Sequence, residues 1–242
     1  MFCFKRKYSK NFYNNQREGS LKSAQVVVPL IIDLIKPNSV VDVGCGVGAW
    51  LSVFRENGLN DIFGLDGDYV DNRMLLIPEP NYEKIDLENI EKKIKRKFDL
   101  VVSLEVAEHL SQRKADNFIK FLVNSGSVVL FSAAIPNQGG KNHINEQWPE
   151  YWINMFKKYN FIPVDCIRKK IWLNKDVEWW YAQNIFIFIK SNQLDKYPKL
   201  LIEQKKYSFY NLPLVHPNNF SFNMNNYSYK RILKIIIKIF LK

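Results

Sequence analysis

The chain has 242 residues, 47% of them hydrophobic, which excludes wholesale disorder and allows one substantial domain with appendages. Its three cysteines, Cys3, Cys45 and Cys166, are odd in number and lack C-x-x-C spacing; this argues against a disulfide framework or a thiolate zinc site and fits a reducing cytoplasm. The net charge of +11 sits at the two ends of the chain, which argues against a nucleic-acid partner for the body between them.

In chain order, residues 1–22 form a basic N-terminal segment with six Lys/Arg and one Glu. Its opening, MFCFKRKYSK, has charges after two aromatics and no apolar run, so no signal peptide is expected. Residues 23–190 are nearly neutral, with 20 basic and 21 acidic side chains, and read as the main domain. Runs at 39–43, 61–65, 98–104, 127–132 and 184–190, a weaker one at 82–87 and a segment at 161–168 predict seven strands. Amphipathic stretches at 49–57, 111–123 and 148–158 predict helices between them. The alternation implies a Rossmann-like, doubly wound α/β fold: a mainly parallel seven-stranded sheet with helices on both faces and 161–168 and 184–190 as a closing pair. The run EKKIKRK at 91–97 reads as a solvated helix end, and no internal repeat is present.

Residues 191–242 form an Asn-, Tyr- and Lys-rich extension with nine Lys/Arg and two acids, expected to have limited structure. It ends in YKRILKIIIKIFLK, where Lys230, Lys234, Lys238 and Lys242 recur four apart among Ile, Leu and Phe. That stretch is too short and too charged to span a bilayer. It fits a helix lying on an anionic membrane surface or one whose apolar face docks on the domain.

Chemistry concentrates at the carboxyl ends of the strands, where open α/β sheets bind ligands. The first strand runs into VDVGCGVGAW, and Gly44, Gly46 and Ala49 satisfy the G-x-G-x-x-G/A dinucleotide pattern, with Gly48 between the last two. A backbone without side chains lets a ligand approach closely, and the following helix offers free N–H groups. Asp66 ends the second strand in IFGLDG, 18 residues past Gly48, where an acid can accept hydrogen bonds from ribose hydroxyls. A nicotinamide-dependent dehydrogenase fits up to this point. The third strand, YEKIDLEN, then puts Asp86 near its end, and the fourth, FDLVVSLEVAEHL, supplies Glu105, Glu108 and His109.

With VDVGCGVG, GLDG, the IDL of strand three and FDLVVSLEVAEHL in place, the chain resembles the class I S-adenosylmethionine-dependent methyltransferases. The resemblance implies S-adenosylmethionine as cofactor. It places the methionine part along Gly44, Gly46 and Gly48 near Asp42, the ribose on Asp66 and the adenine amino group on Asp86, with Glu105 counted among the cofactor residues. GLDGDYVDNRMLLIP, SAAIPNQGGKNHINEQWPEYW and VEWWYAQN look like one bacterial group of small methyltransferases, many associated with surface-polysaccharide gene sets. That implies O-methylation of a sugar or related intermediate of a capsule or other surface glycan by a cytoplasmic enzyme, peripheral at the inner membrane if the terminal helix binds there.

If the chain turns helical after strand four, Glu105, Glu108 and His109 share one face at i, i+3 and i+4. His143, in GGKNHINEQWP after strand five, borders the same cleft, whereas His216 lies in the extension and is expected to be inert. A Glu105/Glu108/His109/His143 set suits Mg²⁺ or Mn²⁺. The same spacing occurs in the small-RNA 3′-terminal 2′-O-methyltransferases, which keeps an RNA ribose acceptor as an alternative. Metal binding, base catalysis by His109 or His143, and a hydrogen-bonded structural role all stay open. Trp148, Trp179, Trp180, Tyr181 and Gln183 are candidate acceptor contacts, since aromatic walls with amide partners suit a sugar. Trp148, Tyr151 and Trp152 also have the spacing of a buried helix face.

Overall fold

In the computed structural model, the described residues are 10–90, 94, 96–206 and 213–226. Most of EKKIKRK and the basic terminal stretch 228–242 lie outside them. Seven strands form one sheet: β1 (Ser39–Val43), β2 (Asp61–Asp66), β3 (Tyr82–Lys84), β4 (Leu100–Leu104), β5 (Val128–Ser132), β6 (Phe161–Val164) and β7 (Phe186–Lys190). Their order is β3-β2-β1-β4-β5-β7-β6; β7 runs antiparallel to both β5 and β6, and every other pairing is parallel. Every residue of LVVSL in β4 and VVLFS in β5 lies in a strand buried along its whole length, as parallel strands covered on both faces must be.

Helices α1 (Lys10–Ile35) and α2 (Ala49–Glu56) cover one face; Val27, Ile31, Trp50 and Phe54 pack there over Val40, Leu100 and Leu130. Helices α3 (Ala115–Ser125) and α4 (Pro149–Lys158) cover the other, with Phe118, Leu122, Trp152 and Phe156 over Val101, Phe131 and Phe188. The fold is the expected Rossmann-like arrangement, and the strand crossings leave the ends of β1, β2, β4 and β5 facing one cleft.

Several boundaries differ from expectation for identifiable reasons. Phe98 makes only an isolated bridge to Gly126, so β4 starts at Leu100. The segment predicted as strand 161–168 ends at Val164, because Arg168–Ile171 wind into α5, a single turn anchored by the ion pair of Arg168 with Asp165. Strand 184–190 begins at Phe186, because Trp179–Asn184 form a further short helix, α6. The third strand stops at Lys84, two residues before Asp86. A 3-10 turn at Gln112–Lys114 precedes α3.

The expectation of limited structure after Lys190 needs correction. Residues Ser191–Lys196 form a 3-10 helix, and α7 (Pro198–Lys206) and α8 (Pro217–Asn226) follow. Leu194 and Leu200 are buried in the core on the α1 face, and Lys199 pairs with Asp33 of α1. Apolar burial and a cross-helix ion pair therefore order a stretch whose composition looked loose. Among the described residues, no helix is long and apolar enough to cross a membrane.

Candidate functional site

The cleft begins at the loop after β1. Gly44, Gly46 and Gly48 have φ of +86°, +56° and +82°, values that glycine adopts without a Cβ penalty. The loop is pinned by hydrogen bonds from the Gly44 and Cys45 N–H groups to the Leu65 carbonyl, at 2.7 and 3.2 Å. A Cβ on Gly44 would overlap the Val106 side chain, whereas a Cβ on Gly46 would meet nothing within 4 Å. The first glycine is required by packing, and the second borders open space. Gly48 is the N-cap of α2, so the helix start faces the loop.

Asp66 is buried at the end of β2, and its carboxylate collects three donors: the Gly46 N–H at 2.6 Å, the Gly67 N–H at 2.6 Å and the Tyr69 hydroxyl. Burial nevertheless raises its pKa. Asp42, buried at the end of β1, is pushed well above the usual carboxylate range by burial and then by the charge of Asp66. Asp86 differs from these two. It is exposed beyond the end of β3, and its carboxylate accepts from the Glu88 and Asn89 N–H groups at 2.9 and 3.3 Å, an Asx turn.

At the end of β4 the chain does not turn α-helical, which corrects the expected shared helix face. Glu105 has φ +56°, uncommon for a non-glycine residue, and its N–H donates to Ser132. Ala107–His109 then form a 3-10 turn. As a result, the four residues do not share one helix face, although they remain neighbours. Glu108, His109 and His143 place ligand atoms within 4.8 Å of one another, while Glu105 stands beside them with its own partners, Gln138 Nε2 at 2.9 Å and Asn184 Nδ2 at 3.1 Å.

Glu108 is fully buried, and neither carboxylate oxygen has a hydrogen-bond partner of good geometry. Burial, then the neighbouring Glu105 charge, holds its pKa well above the usual range. His109 is lowered to about 4 by burial and then by His143; its Nδ1 is buried without a partner. The two imidazoles meet edge to face with centroids 4.9 Å apart.

The loop between β5 and α4 carries His143 to this point. The N–H groups of Ile144 and Asn145 donate to the Glu108 carbonyl at 2.9 and 3.0 Å, which clamps the loop on the 3-10 turn. Glu146 accepts from the Asn137 and Gly139 N–H groups and from His143 Nδ1 at 3.0 Å. With Nδ1 engaged by Glu146, Nε2 is the other ring nitrogen of His143 and lies against Gly140; a second carboxylate orients metal-binding or basic histidines in this way. Sequence reasoning missed Glu146, for which its place three residues after a histidine was the only signal.

The candidate acceptor contacts divide. Trp148 caps α4 at 42% exposure, and Trp179 and Trp180 are half-buried on α6. Tyr181, however, turns inward. Its ring packs edge-on against Trp50, its hydroxyl shares a hydrogen bond with Ser20 at 3.1 Å, and burial pushes its pKa up to about 12. Gln183 is also buried and bonded to other amides. Because VEWWYAQN winds into α6, these two side chains face the protein interior. His216, expected to be inert, is buried against Trp172 and Gln183.

Residues 13–172 match the family profile described as "Methyltransferase domain". No curated protein matches the sequence. The sugar N-methyltransferase KedS8 from Streptoalloteichus has a similar structure, with a TM-score of 0.60 at 12% identity over 78% of this chain and 96% of its own. Magnesium protoporphyrin IX methyltransferase from Synechocystis, solved with bound SAH, gives 0.54 at 14% identity, over 76% and 90%. An O-methyltransferase family protein from Burkholderia thailandensis gives 0.54 at 9%, over 76% of this chain, and this chain spans only 60% of that protein. At these identities the likeness is one of fold.

Proposed function

The chain belongs to the methyltransferase-domain family, and from that premise we propose that it moves a methyl group from S-adenosylmethionine to a hydroxyl of a sugar or related intermediate of a capsule or other surface glycan. The dehydrogenase alternative falls with the family assignment. The observation that carries the reading is the open space over Gly46 beside the buried Asp42 and Asp66 carboxylates. Both acids are held above their ordinary range by burial, so a cationic ligand entering that space favours their ionised forms. S-adenosylmethionine carries such a charge on its sulfonium. Tyr69, now on Asp66, would give way to the ribose.

Methyl transfer needs in-line approach and exclusion of water more than covalent catalysis. A hydroxyl acceptor must also lose its proton. His109, held neutral at physiological pH by burial and by His143, offers an imidazole nitrogen for this, and His143 is oriented beside it by Glu146. The same cluster fits a divalent ion, because the Glu108 oxygens and His109 Nδ1 are buried lone-pair atoms with no hydrogen-bond partner of good geometry. Glu108, His109 and His143 would hold Mg²⁺ or Mn²⁺, and the ion would lower the pKa of a bound hydroxyl. Ile144 and Trp148, exposed in the loop that carries His143, offer apolar surface to a sugar ring.

An RNA ribose hydroxyl is the second reading, favoured by this same three-residue cluster. The near-neutral charge of residues 23–190 weighs against it. Calorimetry with S-adenosylmethionine, followed by a transfer screen of nucleotide sugars, glycans and short RNAs with chelator or added Mg²⁺ and Mn²⁺, tests the proposal. Methyl transfer to a sugar hydroxyl supports it, transfer to RNA alone replaces the acceptor, and binding of NAD with none of S-adenosylmethionine overturns it. Full transfer in chelator, lost in His143→Ala, assigns His143 as base and removes the metal.

A further inference from the structure

Glu105 is reached through a chain of buried amides that begins in the C-terminal extension. The backbone N–H of His216 and the Nδ2 of Asn219 both donate to Gln183 Oε1, at 2.9 and 3.1 Å. Gln183 Nε2 donates onward to Gln138 Oε1 and Asn184 Oδ1, at 2.9 and 3.1 Å. Asn184 Nδ2 also donates to Gln138 Oε1 at 2.8 Å. Gln138 and Asn184 then each donate to one oxygen of Glu105. Gln138, Gln183, Asn184 and Asn219 are each at most 3% exposed.

The direction of this relay is fixed at both ends. A backbone N–H can only donate, and a carboxylate can only accept. Between them each amide has one satisfactory orientation, since turning Gln183 over would set its NH₂ against two donors and its oxygen against two carbonyls. The outer end is clipped in place by His216 Nε2 at 2.7 Å from the Trp172 carbonyl oxygen. The Gln183 carbonyl is held by the fully buried Arg168 at 3.2 Å. At the inner end Glu105 keeps its left-handed backbone, a conformation that persists only where its surroundings over-determine it.

We infer that His216, Gln183 and Asn219 are positioning residues: the extension segment 216–219 sets the direction of the amide relay that aims the Glu105 carboxylate at the cleft. The extension is thus part of the site's machinery, although it lies beyond the residues matched by the methyltransferase family. Glu105's use by the enzyme rests on the proposed function, whereas the relay itself does not.

The test is a pair of double-mutant cycles on the full chain, read by thermal melting. Gln183→Glu turns two donors into acceptors facing two carbonyls and is expected to lower the melting point by about 5 °C or more. Glu105→Gln supplies one NH₂, which can meet one of the two turned-over partners, so the double variant should regain about half of that loss. If Gln183→Glu does not fold, Asn219→Ala combined with Glu105→Gln tests the same coupling across two elements. Non-additive losses in either cycle support the relay, and additive losses overturn it. Phe220→Ala, on the exposed side of α8, should melt as wild type. A loss there equal to that of Asn219→Ala assigns the effect to helix packing and overturns the inference. Calorimetry with S-adenosylmethionine is the second readout, with Gln183→Glu expected to bind about tenfold more weakly. Unchanged affinity overturns the positioning role, whereas absence of binding by the wild type overturns the proposed function and leaves the melting cycles to decide the relay.

Discussion

Two glycines one residue apart in the loop after β1 should respond differently to the same substitution. Gly44→Ala forces a non-glycine residue into φ +86° and drives a methyl group into Val106. The left-handed backbone costs about 1–2 kcal/mol and overpacking about 1–3 kcal/mol, so stability should fall by about 2–5 kcal/mol. For a domain of this size that is about 5–15 °C in melting temperature. Gly46→Ala carries the backbone term alone, about 1–2 kcal/mol, because its Cβ would project into space with nothing within 4 Å. Its N–H can still reach Asp66, so the loop keeps that bond. If S-adenosylmethionine occupies the space, the added methyl should cost about 1–3 kcal/mol of binding, or about 5- to 150-fold in Kd. Melting and calorimetry on both variants measure the two effects. Equal losses of stability, together with wild-type cofactor affinity in Gly46→Ala, would refute the assignment of that space to the cofactor.

Asp66→Ala should weaken S-adenosylmethionine binding by about 1–3 kcal/mol, because ribose hydroxyls lose a charged acceptor; isothermal titration measures it. Burial pushes the Cys166 thiol to about 12 from an unfolded value near 9. The folded state therefore keeps a proton that the unfolded chain releases, so stability is intact below about pH 9 and is lost as pH rises toward 12. The slope is about 1.4 kcal/mol per pH unit for this group, and denaturant melts of Cys166→Ala should show the slope reduced by about that amount. Deleting 228–242 should abolish sedimentation with anionic vesicles at low salt and leave cofactor affinity intact, since each lysine near such a surface contributes about 1 kcal/mol. An intact chain that ignores vesicles assigns the stretch to packing instead.

What the sequence disclosed and what it hid follow from the range of the forces involved. The glycine loop was legible because glycine adopts the three positive φ values found there without a Cβ penalty, and the inner strands were legible because two-sided burial demands unbroken apolar runs. Helix α1 carries a readable signal in Ala24, Val27, Val28, Ile31, Leu34 and Ile35, whose spacing buries one stripe, but the charge of residues 1–22 masks its beginning. Glu108, His109 and His143 were singled out by residue type, whereas the 3-10 turn that arranges them beside Glu105 depends on the loop clamped on it. The amide relay left no trace. Its members are 33 to 79 residues apart where they bond across the fold, and Gln and Asn have no periodicity to betray a buried role.

The place of β7 in the sheet has a consequence for how the protein is made. It is the last of the seven strands in sequence, yet it lies between β5 and β6 rather than at an edge. During synthesis β1 to β5 can pair as they emerge, since each finds a neighbour already present. Until residue 190 clears the ribosome, β5 keeps an open edge and β6 has no strand beside it. Nascent chains stalled before Phe186 thus present the fully buried VVLFS strand as an unpaired hydrophobic edge, the feature most prone to join another chain. Those same chains already contain the glycine loop, Asp66 and the Glu108–His109–His143 residues. Their vulnerability lies in completing the sheet rather than in assembling the cofactor half, and the moment of greatest need for a chaperone falls between the emergence of β5 and that of β7.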